Sequence, residues 1–199
     1  MFREERELDC EYFTRIAGVL EEHFQRRAVE ALAVAFLFFK ERVGRMHISR
    51  RLGLTERQVR GILEKLRELG RGELDLLEGF LNSLRVERAS VNGFESSIYS
   101  GFSPRLIDCL ANRIIYFRDA LVVALEDFRK IYLIGVKSDR LDFPLAPEDL
   151  TRVFIENLDP RAGVNSIVVV WSRYQPVVDD VAVVSSLTRM CREVCYHIK

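Results

Sequence analysis

The stretch Arg45 to Leu66, RMHISRRLGLTERQVRGILEKL, constrains this chain more than any other. Ile48 and Leu52 are four apart and share one helical face; Gly53 follows where the chain must leave the helix, and Leu54 plugs the bend. Thr55 is placed to cap a second helix, and Gln58, three residues on, completes a Thr-x-x-Gln box in which two backbone donors are satisfied reciprocally. Val59, Ile62, Leu63 and Leu66 give that helix one apolar stripe to lay against Ile48, Leu52 and Leu54. This is the pattern of a helix-turn-helix, and it leaves the outer side of the second helix free.

Charge gathers on the same stretch. The chain as a whole is neutral, with 30 basic and 30 acidic residues, yet Lys40 to Arg71 holds ten basic residues against four acidic ones. A polyanion is the partner such a region favours, with a phosphate backbone supplying most of the affinity. Opposite Val59 and Ile62 lie Arg57, Gly61, Glu64 and Glu68, with Gln58 and Arg60 at the flanks. Arg57, Gln58 and Gly61 fall in the front half of the helix, the half that enters a major groove; an arginine there can bridge a guanine edge, and a glycine lets the backbone approach. Arg45, Ser49 and Arg50 on the preceding helix are in reach of phosphates, with Thr55, Arg60 and Lys65 as further contacts. Gln58 ranks below Arg57 because the cap can occupy it, and Glu64 and Glu68 would repel phosphate.

Around this unit the spacing predicts helices over residues 2 to about 24, 26–41 and about 75–84. The first is read either as a helix packed on its own domain or as a dimer arm. Only Arg71-Gly72-Glu73 separates the second helix of the motif from the next one, so a wing is minimal at best and Arg71 is the residue placed to replace it. From Arg85 the composition changes: Val91, Asn92-Gly93, Ser96-Ser97 and Ser100-Gly101 mark a turn-rich, extended segment. Beyond it Pro104 opens a helical or irregular stretch leading to a helix over Leu110 to Phe128, followed by a buried strand over Ile131 to Val136, a short partner over Leu141 to Phe143, a helix from Pro147 to about Asn157, a strand over Ser166 to Trp171 and a closing helix over Val178 to Tyr196. The expected class is α+β: a winged-helix-like, mostly helical domain over 1–84 and a small α/β domain over 85–199 that dimerises, senses a ligand, or both.

At 48% apolar and 30% charged residues, the composition is that of a charge-rich globular protein with no run of the length a spanning helix needs, so no membrane partner is expected. The opening FREERELD is too polar for a signal peptide, and the expected location is cytoplasmic. Cys10, Cys109, Cys191 and Cys195 contain no Cys-x-x-Cys, and in a reducing compartment they are expected to be four small buried hydrophobes. Cys191 and Cys195, one turn apart with His197 nearby, are held in reserve as metal ligands. Arginine outnumbers lysine 25 to 5 and glutamine occurs three times, a balance that suits a thermophile. There is no phosphate-binding loop, nucleophile elbow or zinc-protease motif, and only His23, His47 and His197 among histidines; no catalytic residue, cofactor or metal is expected.

Arg45 to Leu66 resembles the winged helix-turn-helix of many prokaryotic regulators. Phe117 to Pro144, FRDALVVALEDFRKIYLIGVKSDRLDFP, and Ser166 to Leu187, SIVVVWSRYQPVVDDVAVVSSL, are similar to the C-terminal part of an uncharacterised archaeal family that joins such a unit to a small α/β domain. In that family an Arg-Asp pair, matched by Arg118-Asp119, precedes a Gly-Ala turn; this chain has Glu126-Asp127 instead, so a ligand role of the turn does not carry over. The resemblance names no ligand; the turn glycine, the cap and the local positive charge together lead to the expectation of an archaeal transcriptional regulator that binds double-stranded DNA, as a homodimer and with a small effector unnamed. The alternative is a protein-interaction or scaffold module that keeps the tri-helical fold without DNA. An enzyme in the C-terminal half ranks last.

Overall fold

The computed structural model describes residues 7–195, an α+β arrangement in which helices fill the first part of the chain and a five-stranded antiparallel sheet organises the second. The first helix, α1 (Cys10–Phe24), begins later than the polar run at its start suggests. Glu7 to Asp9 is extended because its backbone finds partners elsewhere: Leu8 N–H donates to Gly101 O at 2.7 Å, and Ser103 N–H donates to Leu8 O at 3.0 Å. Asp9 then caps α1 by accepting from Tyr12 N–H at 2.8 Å. Gly101 sits at φ +101°, and a Cβ there would lie 2.3 Å from Ser83 O, so only glycine lets the two segments meet.

A short 3₁₀ turn (Gln25–Arg27) leads into α2 (Ala28–Ala35), which continues through a π turn (Phe36–Lys40). Next come α3 (Arg45–Leu52), α4 (Glu56–Glu68) and α5 (Arg71–Ser83). The hairpin β1 (Arg85–Val91) and β2 (Phe94–Ser100) turns at Asn92-Gly93, both at positive φ, which is the chemistry a two-residue hairpin loop demands. The stretch opened by Pro104 is a helix of its own, α6 (Pro104–Asn112), and the helix expected over Leu110 to Phe128 is the shorter α7 (Ile114–Leu125), set apart from it at Arg113, whose φ of −130° is not helical. β3 (Ile131–Lys137), β4 (Leu141–Asp142), α8 (Glu148–Leu158), β5 (Ser166–Trp171) and α9 (Val178–Glu193) complete the chain.

The sheet order is β1-β2-β5-β3-β4, and every neighbouring pair is antiparallel. The two apolar strands anticipated for a small α/β unit, β3 and β5, are thus direct antiparallel neighbours. Alternation along β5 divides the interior. Ile167, Val169 and Trp171 join the large core formed with α1, α2, α4, α5, α7 and α9, while Val168 and Val170 face a smaller one closed by Phe154 and Leu158 of α8. The large core runs from Phe13 and Leu32 through Ile48 and Leu66 to Val169 and Leu187, so it crosses the change from helices to strands at residues 84 and 85 without a gap. The stripe of α1 (Phe13, Ile16, Leu20, Phe24) is buried inside this chain, which settles its two readings in favour of the packed helix.

The cysteines are not the four reduced hydrophobes expected from a reducing compartment. Cys10 of α1 is bonded to Cys191 of α9, and Cys109 of α6 to Cys195 just past α9. Packing α1 and α6 beside the end of α9 brings the Cα atoms to 5.0 and 6.0 Å, within bridging range, across sequence separations of 181 and 86. Both sulfurs of the reserved metal site are therefore used, and His197 lies outside the described residues. Among the described residues no helix is long and apolar enough to cross a membrane.

Candidate nucleic-acid interface

Helices α3 and α4 meet through a bend whose parts act as their chemistry dictates. Gly53 takes the left-handed conformation at φ +65°, its N–H returns to Ser49 O, and Ser49 Oγ donates to Leu54 O at 2.6 Å. At the start of α4, Gln58 N–H donates to Thr55 Oγ1 at 3.3 Å, and Thr55 N–H donates to Gln58 Oε1 at 2.8 Å. Ile48, Val59, Ile62, Leu63 and Leu66 are buried, so the outward direction of α4 is fixed by its own stripe. Ser49, Thr55 and Gln58 are committed to these internal bonds in the free protein, which leaves the arginines as the open groups.

Of the ten basic side chains between Lys40 and Arg71, three are tied inward. Lys40 Nζ donates to Leu81 O at 2.8 Å and also to Leu84 O, its ammonium lies 5.4 Å from the Phe36 ring centroid, and burial lowers its pKa. Arg51 pairs with Glu41, and Lys65 Nζ donates to the carbonyl of His23 at 3.3 Å. Arg42, Arg45, Arg50, Arg57, Arg60, Arg67 and Arg71 are exposed and pair with no other described residue. Gly61 lies among them on α4, and a Cβ built there meets nothing within 4 Å. Glu64 and Glu68 are exposed on the rear half of the same helix beside Lys65 and Arg67, and Glu56 is exposed at its front. Arg42, at φ +56° beside α3, and Arg67, near the end of α4, are open cations outside the candidate residues, although the charge balance counts both.

No strand lies between α4 and β1. Gly70 ends one helix and caps the next, with its N–H held by Glu73 Oε2 at 2.9 Å, and Arg71 opens α5. The one hairpin close by in sequence, β1–β2, is the edge of the sheet. Glu73 also accepts from His23 Nε2 at 3.0 Å, and that bond, with the Gly70 N–H, holds its carboxyl below the usual range. Glu22, His23 and Glu73 bring three ligand atoms within 4.8 Å, but the Lys65 ammonium on the His23 carbonyl is a poor neighbour for a cation, and the pair reads as a latch between α1 and α5.

The second half uses its charges differently. Asp180, 1% exposed, accepts from Tyr99 OH at 2.7 Å, Tyr174 OH at 2.8 Å, Val177 N–H at 2.9 Å and Arg88 Nη2 at 3.1 Å. Burial, followed by the charge of Asp180, pushes the Tyr99 and Tyr174 phenols well up. Next to it the buried Asp179 holds Lys130 Nζ at 2.6 Å and Gln175 N–H at 2.7 Å. Sequence reasoning passed over this network, though two aspartates set among valines in PVVDDVAVV were a signal that carboxylates enter a core. Two open clefts lie elsewhere, one of about 580 Å³ between the starts of α1 and α6 and one of about 440 Å³ beside α7 and β3.

No protein family matches the chain, and no curated protein matches it. In fold it is similar to a hypothetical protein from Pyrococcus horikoshii, with a TM-score of 0.50 and 17% identity over 86% of this chain and 95% of that one.

Proposed function

We propose that this protein is a cytoplasmic, archaeal DNA-binding transcriptional regulator that presents the front of α4 to the major groove of double-stranded DNA. The observation that carries the reading is the set of partnerless, exposed arginines on α3 and α4, in a chain whose other arginines are largely paired. Arg57 and Gly61 face outward at the front of α4, where an arginine can read a guanine edge and the bare backbone can come close. Arg45, Arg50 and Arg60 flank them at positions suited to phosphate contacts, and Arg71 takes the place of a wing. Two disulfides and an arginine-rich, glutamine-poor composition suit the cytoplasm of a hyperthermophile, where such bonds persist. A small effector would act through the C-terminal half, where one open cleft lies beside α7 and β3.

Titration of the purified protein against selected and random duplexes tests this. Arg57→Ala loses about 1–3 kcal/mol on the selected sequence and little on random DNA, whereas Arg50→Ala weakens both alike. Equal losses for Arg57→Ala on both duplexes remove its base-reading role. The missing hairpin favours one other reading, a protein-interaction module that keeps the tri-helical fold. In that case neither duplex binds with salt-dependent affinity.

A further inference from the structure

Helix α7 buries Ile114, Phe117, Ala120 and Leu121 against α9 and the core, so its opposite face is turned to solvent. That face is not the polar surface a solvated helix normally carries. Ile115 is 57% exposed and Val123 63%, Val122 is half-buried, and between them stand Arg118 and Asp119, whose side chains pair with each other at 2.7 Å. Beside the helix, Phe128, 70% exposed, and Leu145 line the 440 Å³ cleft together with Arg118, Asp119 and Val122. Exposed apolar side chains gathered along one face of a helix and beside it mark an interaction site.

The order of residues along the face says what fits it. A twofold axis crossing α7 midway between Arg118 and Asp119 lays the helix antiparallel on its own copy. Residue 118 then meets 119, and residue 115 meets 122, in both directions at once. Arginine is set against aspartate and isoleucine against valine, with no like-charge contact. Ile115, Arg118, Asp119 and Val122 share one side of the helix through their three- and four-residue spacing, so the match is in direction as well as in order. Self-complementarity about a twofold is the defining property of an isologous interface. A stable interface needs about 800 Å² from each partner. A 12-residue helix does not supply that alone, and Phe128 and Leu145 extend the apolar surface to its side.

We infer that α7 is a homodimerisation helix, pairing antiparallel with the α7 of a second copy through Ile115, Arg118, Asp119 and Val122. The inference stands on α7 and is independent of what α4 binds. Sedimentation velocity of the full chain tests it, over protomer concentrations from about 1 to about 100 µM. The unmodified protein sediments as a dimer in the upper part of that range. R118D alone sets carboxylates against carboxylates across the axis and raises the dissociation constant by at least about tenfold, as D119R does with arginines. Combining R118D with D119R exchanges the partners and restores the dimer. I115D dissociates it without rescue. These side chains are exposed, so the variants keep the circular dichroism of the parent. A chain that stays monomeric throughout, or a dimer indifferent to R118D and I115D, overturns the inference, as does failure of the double exchange to recover what each single change loses.

Discussion

The arginines of the two halves of the molecule are the same side chain put to opposite ends. In the second half, Arg88 reaches into the core to meet Asp180, and at the surface Arg129, Arg152, Arg161 and Arg189 each hold a carboxylate. On α3 and α4, Arg45, Arg50, Arg57 and Arg60 hold none. A cation with an internal partner contributes little to an outside field, while an open one keeps its charge for a ligand. The difference teaches that net charge is a poor guide to what a chain binds. This protein is neutral overall, yet five of its open arginines, Arg45, Arg50, Arg57, Arg60 and Arg67, lie on two neighbouring helices.

The comparison breaks most visibly at Asp180. Removing its carboxylate strands the Tyr99 hydroxyl and the Val177 N–H in the core and leaves the half-exposed Arg88 with Tyr174 alone, so Asp180→Ala costs about 3–5 kcal/mol in denaturant unfolding. A loss below about 1 kcal/mol would show that the network is not what holds this half together. Next in size are the cross-links. Cys10→Ser with Cys191→Ser opens a bond across 181 residues and lowers stability by about 2–4 kcal/mol, read as a drop in thermal midpoint that reductant, which opens both bonds, matches or exceeds in the unmodified chain. An unchanged midpoint under reductant would mean the bond does not form in solution. Smallest, and opposite in sign, is Gly61→Ala. The space beyond Gly61 is open, so the exchange stabilises α4 by about 0.5–1 kcal/mol while the new methyl group weakens duplex binding. A variant more stable and equally tight on DNA would place Gly61 away from the contact.

Those parts of the fold that depend on neighbours in sequence were legible beforehand. The Thr55–Gln58 cap, the left-handed Gly53 and the span of β5 are all short-range chemistry, and each occurs where the residues place it. What escaped depends on contacts distant in the chain. Leu8 is drawn out of a helix by Gly101 and Ser103, and four scattered cysteines become two bonds because α1 and α6 pack beside the end of α9. Within the candidate interface, residue types and spacing identified the exposed arginines but not which cations were tied down: Lys40, Arg51 and Lys65 look like their neighbours in sequence and differ only in what the fold lays beside them.

The most direct test sets the two groups of arginines against each other in one assay, the salt dependence of duplex binding. Each phosphate contact contributes about 0.9 to the slope of log affinity against log salt. Replacing Arg45, Arg50, Arg57 and Arg60 by alanine should flatten that slope by about 2–3, allowing for one arginine that reads a base edge and not a phosphate. Replacing Arg129, Arg152, Arg161 and Arg189 removes the same number of charges and should leave the slope where it was. Equal slopes for the two variants, or no salt-dependent binding by the unmodified protein, would contradict the account.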